Sequence, residues 1–194
     1  MKTTVILSCI VVGGSLLNVN LSPGNFNSTS SVASYKLTKA KRTTSAPRSP
    51  IRIVIDKSDY ELSVYDAQGW YATYPVVFGN SSLEDKKMEG DRNTPEGSFK
   101  VAGKKLHDKW DRYIALNYPT KESLEKFNER KIRGEIPKNA RPGGGIGIHG
   151  TWPHEDFVID RYKNWTNGCI SLKRTDVEEI YDYVPVGTPV YIKK

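Results

Sequence analysis

Gly145-Ile146-Gly147-Ile148-His149-Gly150, followed after fifteen further residues by Thr166-Asn167-Gly168-Cys169-Ile170-Ser171-Leu172, is the stretch on which the reading of this chain turns. In its first piece small residues alternate with isoleucines, the period of a strand, and the strand leaves the flexible approach Gly143-Gly144-Gly145 to display a histidine at its end. In the second piece Gly168 lets the backbone come close to another chain, and Ile170 and Leu172 around Ser171 predict a buried strand starting just after the thiol. A cysteine nucleophile needs a neighbouring base or positive charge. The chain offers three histidines, His107, His149 and His154, and His149 is the one a strand end presents.

Working outward, the pattern stays β-rich. Ile51, Ile53 and Ile55 alternate as a strand does, Tyr60 to Tyr65 pairs with them through the Lys57-Ser58-Asp59 turn, and Gln68-Gly69 leads into a third strand, Trp70 to Phe78. Further strands are expected at Ser98 to Ala102, Tyr113 to Asn117 and Val190 to Ile192. Two helices are expected, Lys121 to Arg133 and Thr175 to Val184, the second with Thr175 and Glu178 as a capping box and with Pro185 and Pro189 beyond its end. The fold class is mainly β with short helices, a small sandwich or barrel-like assembly.

With 194 residues and 37% hydrophobic content, the chain has room for one ordinary domain, placed at residues 51–194. Residues 1–21 carry Lys2 and then an apolar run from Val5 to Leu17, the proportions of a signal peptide, with an N-terminal membrane anchor as the alternative; export is expected either way. Residues 22–50 are rich in Ser and Thr and read as a disordered basic linker, whose charge could hold it near anionic lipid or wall polymer. The formal charge of +7 is concentrated at this end: residues 1–50 hold six basic residues and no acid, against 23 basic and 22 acidic residues in the rest. A nearly neutral domain argues against nucleic acid as a partner.

Apart from Cys9 in the apolar start, Cys169 is the only cysteine, so the domain has no disulfide of its own. His149 and His154 make a poor metal pair, with Pro153 between them and no third ligand in sight, and the glycine run lacks the Gly-Lys-Ser/Thr of a phosphate loop. Neither metal nor cofactor is expected. His107 reads as a surface or groove residue, and Trp110, Trp152 and Trp165 read as core packing.

The His149-Gly150 and Thr166-Asn167-Gly168-Cys169-Ile170 segments together resemble the L,D-transpeptidase catalytic domain, the YkuD-type fold of bacterial cell-wall enzymes. Gly90-Asp91-Arg92-Asn93-Thr94-Pro95-Glu96-Gly97-Ser98-Phe99, Arg112 to Pro119, and Val184 to Val190 are similar to further parts of the same family, so the resemblance spans Ile51 to Lys194. It implies a bacterial protein of the periplasm or cell envelope that acts on peptidoglycan stem peptides, with Cys169 as nucleophile and His149 as general base. It further implies that the carbonyl of Gly150 orients the imidazole, that Thr166, Asn167 and Gly168 shape the thiol turn, and that amides around Gly168 and Cys169 hold an oxyanion. Asn167 stands where many members carry a second histidine. Ser171 stands where many carry an Arg or Asn that holds the donor stem, and Ser171, Arg92 and Thr94 are the residues expected to bind substrate. Asn164-Trp165-Thr166 and Leu116-Asn117-Tyr118-Pro119 are similar to the YafK-type branch, in which some members hydrolyse a wall-anchoring bond. An amidase or carboxypeptidase is the alternative activity, and a non-catalytic wall-binding module the alternative of another class. A monomer is expected.

Overall fold

The computed structural model describes residues 38–194; the signal-peptide reading of residues 1–21 and the first part of the linker lie outside the described residues. The strands are β1 (Ala40–Lys41), β2 (Arg52–Asp56), β3 (Glu61–Asp66), β4 (Gly69–Pro75), β5 (Gly97–His107), β6 (Asp111–Leu116), β7 (Gly147–Gly150), β8 (Ile170–Leu172) and β9 (Pro189–Lys193). The helices are α1 (Lys121–Ile132), the single turn α2 (Phe157–Asp160) and α3 (Arg174–Tyr183). All nine strands join one mixed sheet in the order β1-β4-β3-β2-β9-β5-β6-β7-β8. The β2–β9 and β7–β8 pairs are parallel and the others antiparallel.

The β2–β3–β4 meander follows from its alternation, which turns Ile53, Ile55, Leu62, Val64 and Tyr74 into the core. β5 is the corner of the sheet. Gly97 to Lys100 pair with β9, and from Val101 onward the strand pairs with β6, with a register shift between Val101 and Gly103. Such an irregularity bends a strand and lets it serve two half-sheets. A bridge between Val77, just past β4, and Ser171 in β8 ties the last strand of the order back toward its beginning. The sheet therefore curls into the barrel-like assembly that the alternating pattern suggested.

Three expectations are corrected. β5 runs to His107 instead of ending at Ala102, because Lys104 to His107 pair with Ile114 back to Asp111 in a long hairpin. α3 begins at Arg174, and no side chain of its own first turn caps it. The cap comes from a distant residue: the Arg174 amide donates to the Asp156 carboxylate at 3.1 Å, so Thr175 has no capping role. The end of the basic linker is also not free. β1 pairs Ala40 with Thr73 and Lys41 with Ala72, Arg42 Nη2 binds Asp66 at 2.8 Å, and Lys41 Nζ binds Glu179 of α3 at 2.6 Å.

The loop between β4 and β5 is held from below by Lys57, which is fully buried. Its ammonium pairs with Glu96 at 2.7 Å and donates to the carbonyls of Glu84 and Thr94, which meets the need of a buried charge for partners. Among the described residues, no helix is long and apolar enough to cross a membrane.

Candidate active site

Strand register sets the site. Paired residues on neighbouring strands share a face, so Lys105, Tyr113, His149 and Ser171 form one row across β5, β6, β7 and β8. The adjacent row is Gly103, Ala115 and Gly147, and Cys169, one residue before the Ile170–Ile148 pair, completes it opposite Gly147. One row thus carries the histidine, and the next is nearly bare up to the thiol. The bareness is required: a Cβ on Gly147 would lie 2.6 Å from the ring of Tyr113, whose hydroxyl reaches across to the Gly145 carbonyl at 2.7 Å.

His149 is 1% exposed. Its Nδ1 lies 2.8 Å from the Gly150 carbonyl. A carbonyl can only accept, so the proton sits on Nδ1 and leaves Nε2 as an acceptor. Trp110 stacks on the ring at 4.4 Å between centroids, and Trp165 meets it edge-on at 5.5 Å. Burial pushes the His149 pKa down to about 4; the Gly150 carbonyl opposes this, and His107 adds to it. The imidazole is therefore neutral at ordinary pH and able to take a proton.

Cys169 is half-buried, and its Sγ donates to the Gly145 carbonyl at 3.4 Å. Burial pushes the thiol pKa up; the Gly147 amide, the Tyr113 hydroxyl and the charge of Lys86 pull the other way without cancelling it. The resting pair is thus a thiol and a neutral imidazole. Both line a cavity of about 700 Å³ whose walls include Lys105, His107, Trp110, Tyr113, Trp152, Trp165 and Asn167. A second hollow of about 400 Å³, lined by Lys86, Glu89, Arg92, Gly143, Gly144 and Asn167, shares Gly144 and Asn167 with the first.

The turn before the thiol is built by Thr166, whose buried hydroxyl donates to the Cys169 carbonyl at 2.7 Å and accepts the Gly168 amide at 3.2 Å. Of the two amides expected to hold an oxyanion, that of Gly168 is therefore already engaged. Gly168 has φ +117, and a Cβ there would stand 2.7 Å from the Asn93 carbonyl, so the glycine admits the β4–β5 loop. The same loop reaches the turn through Arg92, whose Nε donates to the Thr166 carbonyl at 3.3 Å. Behind the turn, the Trp165 and Thr166 amides both donate to the Phe78 carbonyl, and the Phe78 amide donates to the Asn164 side chain at 2.7 Å.

The structure thus brings Cys169, His149, Gly150, Thr166, Asn167, Gly168 and Arg92 together. It does not bring the other two expected substrate-binding residues into reach. Ser171 is wholly buried in β8, and Thr94 is buried above Lys57 and lines none of these cavities. A ligand cannot touch either without opening the core. The three tryptophans are also corrected: all wall the cavity, and only Trp165 also packs against a core cluster, that of Val77, Val158 and Ile159. Tyr113 and Lys105 were missed, because only the strand register, which is non-local, aligns them with His149. His154 sits exposed in the turn before α2, and no group of three or more possible metal ligands occurs among the described residues.

Residues 50–192 match the YkuD family, described as the L,D-transpeptidase catalytic domain. Among solved structures, the chain is similar to the helical cell shape determining protein Pgp2 from Campylobacter jejuni, at 22% identity and a TM-score of 0.55, covering 74% of this chain and 47% of that one. It is also similar to L,D-transpeptidase 3 from Mycobacterium tuberculosis in complex with a faropenem-derived adduct, at 16% identity and a TM-score of 0.50, covering 74% of this chain and 60% of that one. The chain thus spans about half of the length of these proteins, and at such identities the likeness is one of fold. No curated protein is similar enough to count as a match.

Proposed function

The chain belongs to the family of L,D-transpeptidase catalytic domains, and on that premise we propose that it is a peptidoglycan L,D-transpeptidase of the cell envelope, with Cys169 as nucleophile and His149 as base. The observation that carries this reading is the state of His149: a buried, neutral imidazole with its proton fixed on Nδ1 by Gly150, in one cavity with the only thiol among the described residues. Because the thiol is not ionised at rest, its proton moves to Nε2 as Sγ attacks. Sγ bonds to the carbonyl carbon of a stem peptide, the C–N bond beyond it breaks, and the departing amine takes the proton from the imidazolium. An acceptor amine then attacks the thioester, a new C–N bond forms, and the sulfur is released and reprotonated. The oxyanion formed in both steps falls to the Cys169 amide, since that of Gly168 is engaged. The second hollow, reached across Gly144 and Asn167, gives an acceptor its approach.

Incubating the protein with tetrapeptide stems and following products by mass spectrometry tests this. Cross-linked dimers are expected, with an acyl-enzyme mass on Cys169. Tripeptide without dimer would assign hydrolysis instead, the outcome toward which the similarity of Asn164-Trp165-Thr166 to the YafK-type branch points. Identical products from the parent and Cys169→Ala would overturn the covalent mechanism.

A further inference from the structure

Resting on the stem-peptide reading, we infer that Lys105 and His107, on the β5 arm of the β5–β6 hairpin, recognise a free carboxylate of the stem, a specificity-determining task that Ser171 cannot perform from inside the core. The cavity that holds Cys169 includes these two basic side chains and no Asp or Glu in its wall. Lys105 has no carboxylate partner among the described residues; its ammonium lies 5.5 Å from the centre of the Tyr113 ring. His107 is fixed in place, stacked on Trp110 at 4.4 Å and 9°. Its Nδ1 accepts the amides of Lys109 and Trp110 at 3.2 and 3.3 Å, so Nε2 carries the hydrogen and is a donor. The indole N–H groups of Trp110 and Trp165 also lack an acceptor among the described residues, but both are buried away from the cavity surface and leave the anion to Lys105 and His107. A lining of donors and positive charge without acids suits an anion.

Geometry says which carboxylate is within reach. The cavity at Cys169 shares Lys105, Tyr113 and Ala115 with a hollow of about 320 Å³ lined by Gly103, Lys104, Lys105, Tyr113 and Ala115, which continues it along β5. Three strand spacings separate β8 from β5, about 14 Å. An extended peptide covers that in about four residues, and the Lys105 side chain shortens the span. The carboxylate is thus carried one to three residues from the bond that Cys169 attacks.

The test measures binding separately from turnover. Full-length protein carrying Cys169→Ala is titrated with a tetrapeptide stem whose side carboxylates are free and with the same stem amidated there. The free stem is expected to bind about tenfold more tightly, the scale of one charge-assisted hydrogen bond. Lys105→Gln and His107→Gln are each expected to weaken the free stem toward the amidated value while leaving the amidated stem unchanged, and Lys105→Arg to keep the preference. Equal affinity for the two stems, or an equal loss on both in the variants, would overturn the inference. If the protein with Cys169 intact turns over stems without preferring the free form, the transpeptidase reading stands and this one falls. If the preference is present but no thioester forms, the reverse holds. If neither stem binds, both fall.

Discussion

The two ends of the sheet are built from the same kind of strand and are filled differently. From β4 to β9, the inward positions hold branched and aromatic side chains such as Ile53, Ile55, Leu62, Val64, Tyr74, Val190 and Ile192, all nearly or fully buried. From β5 to β8, one row across the sheet is Gly103, Ala115 and Gly147; Tyr113 lies over Gly147, and both Tyr113 and Ala115 wall the cavity in front of Cys169. The first end spends its side chains on packing, which dominates stability. The second end gives up packing to keep a reactive face open, and recovers order through the hydrogen bond from the His149 ring to the Gly150 carbonyl and aromatic stacking on that ring.

The largest effect expected from breaking this division is a crossed pair of substitutions. Cys169→Ala removes the nucleophile and should lower stem turnover by about 10³-fold or more, while Tm stays near that of the parent because the thiol is only half-buried. Ile55→Ala does the opposite. It empties a fully buried site in β2 and should cost about 2–5 kcal/mol of stability, leaving alkylation of Cys169 in the folded fraction unchanged. Chemical denaturation and iodoacetamide labelling followed by intact mass read the two. A thiol rate that moves with Ile55→Ala would mean that the ends are not independent.

Next in size is Gly168→Ala, at the one point where the β4–β5 loop presses on the thiol turn. A side chain at φ +117 costs about 1–3 kcal/mol from backbone conformation alone, and the added Cβ would meet the Asn93 carbonyl at 2.7 Å. Turnover should fall further than stability does, because the strain is relieved by moving Cys169. A loss of stability with full activity would show that the loop, and not the turn, gives way.

How much of this was legible in the sequence follows the same division. The meander could be read because its alternation is local, and the His149 and Cys169 segments could be read because glycines and isoleucines flank each reactive residue. The parallel pairing of β2 with β9 joins residues far apart in the chain, and no local pattern encodes it. The same holds for the row that places Tyr113 and Lys105 beside His149. Ser171 was misplaced for a physical reason: it follows the thiol by two residues and so shares its face, but by then the strand has entered the core. The tryptophans misled because aromatic bulk reads as core, whereas here it walls a cavity and desolvates a histidine.

That desolvation predicts a pH effect of intermediate size. Folded, His149 stays neutral down to about pH 4, while in the unfolded chain it takes up a proton near its ordinary value of 6.5. Between these values the unfolded chain binds more protons, so stability should fall as pH drops through the window, by roughly 3 kcal/mol across it. His149→Gln should flatten that slope in urea titrations at stepped pH; an unchanged slope would place its origin elsewhere. The thiol titrates in the other direction. With its pKa raised above an ordinary 9.0, Cys169 should show an iodoacetamide rate that keeps climbing above pH 9, where a preformed thiolate–imidazolium pair would have levelled off near neutrality.

The smallest effect expected lies at the packed end, where the basic segment meets the sheet edge. Glu179 accepts both Lys39 and Lys41, and the Arg42 amide donates to the Tyr71 carbonyl at 2.8 Å, continuing the contact past β1. Ion pairs this close to solvent are worth up to about 1 kcal/mol each and weaken with salt. Glu179→Gln should therefore lower Tm by about 2–4 °C at most, and less in high salt. Amide exchange at Lys41 and Arg42 should quicken because the β1 pairing is short and has little else to hold it. Turnover and thiol labelling should not change, since no cavity near Cys169 includes this segment. A changed labelling rate in Glu179→Gln would show that the strap reaches His149 through α3, and the packed and open ends of the sheet would then have to be treated as one coupled unit.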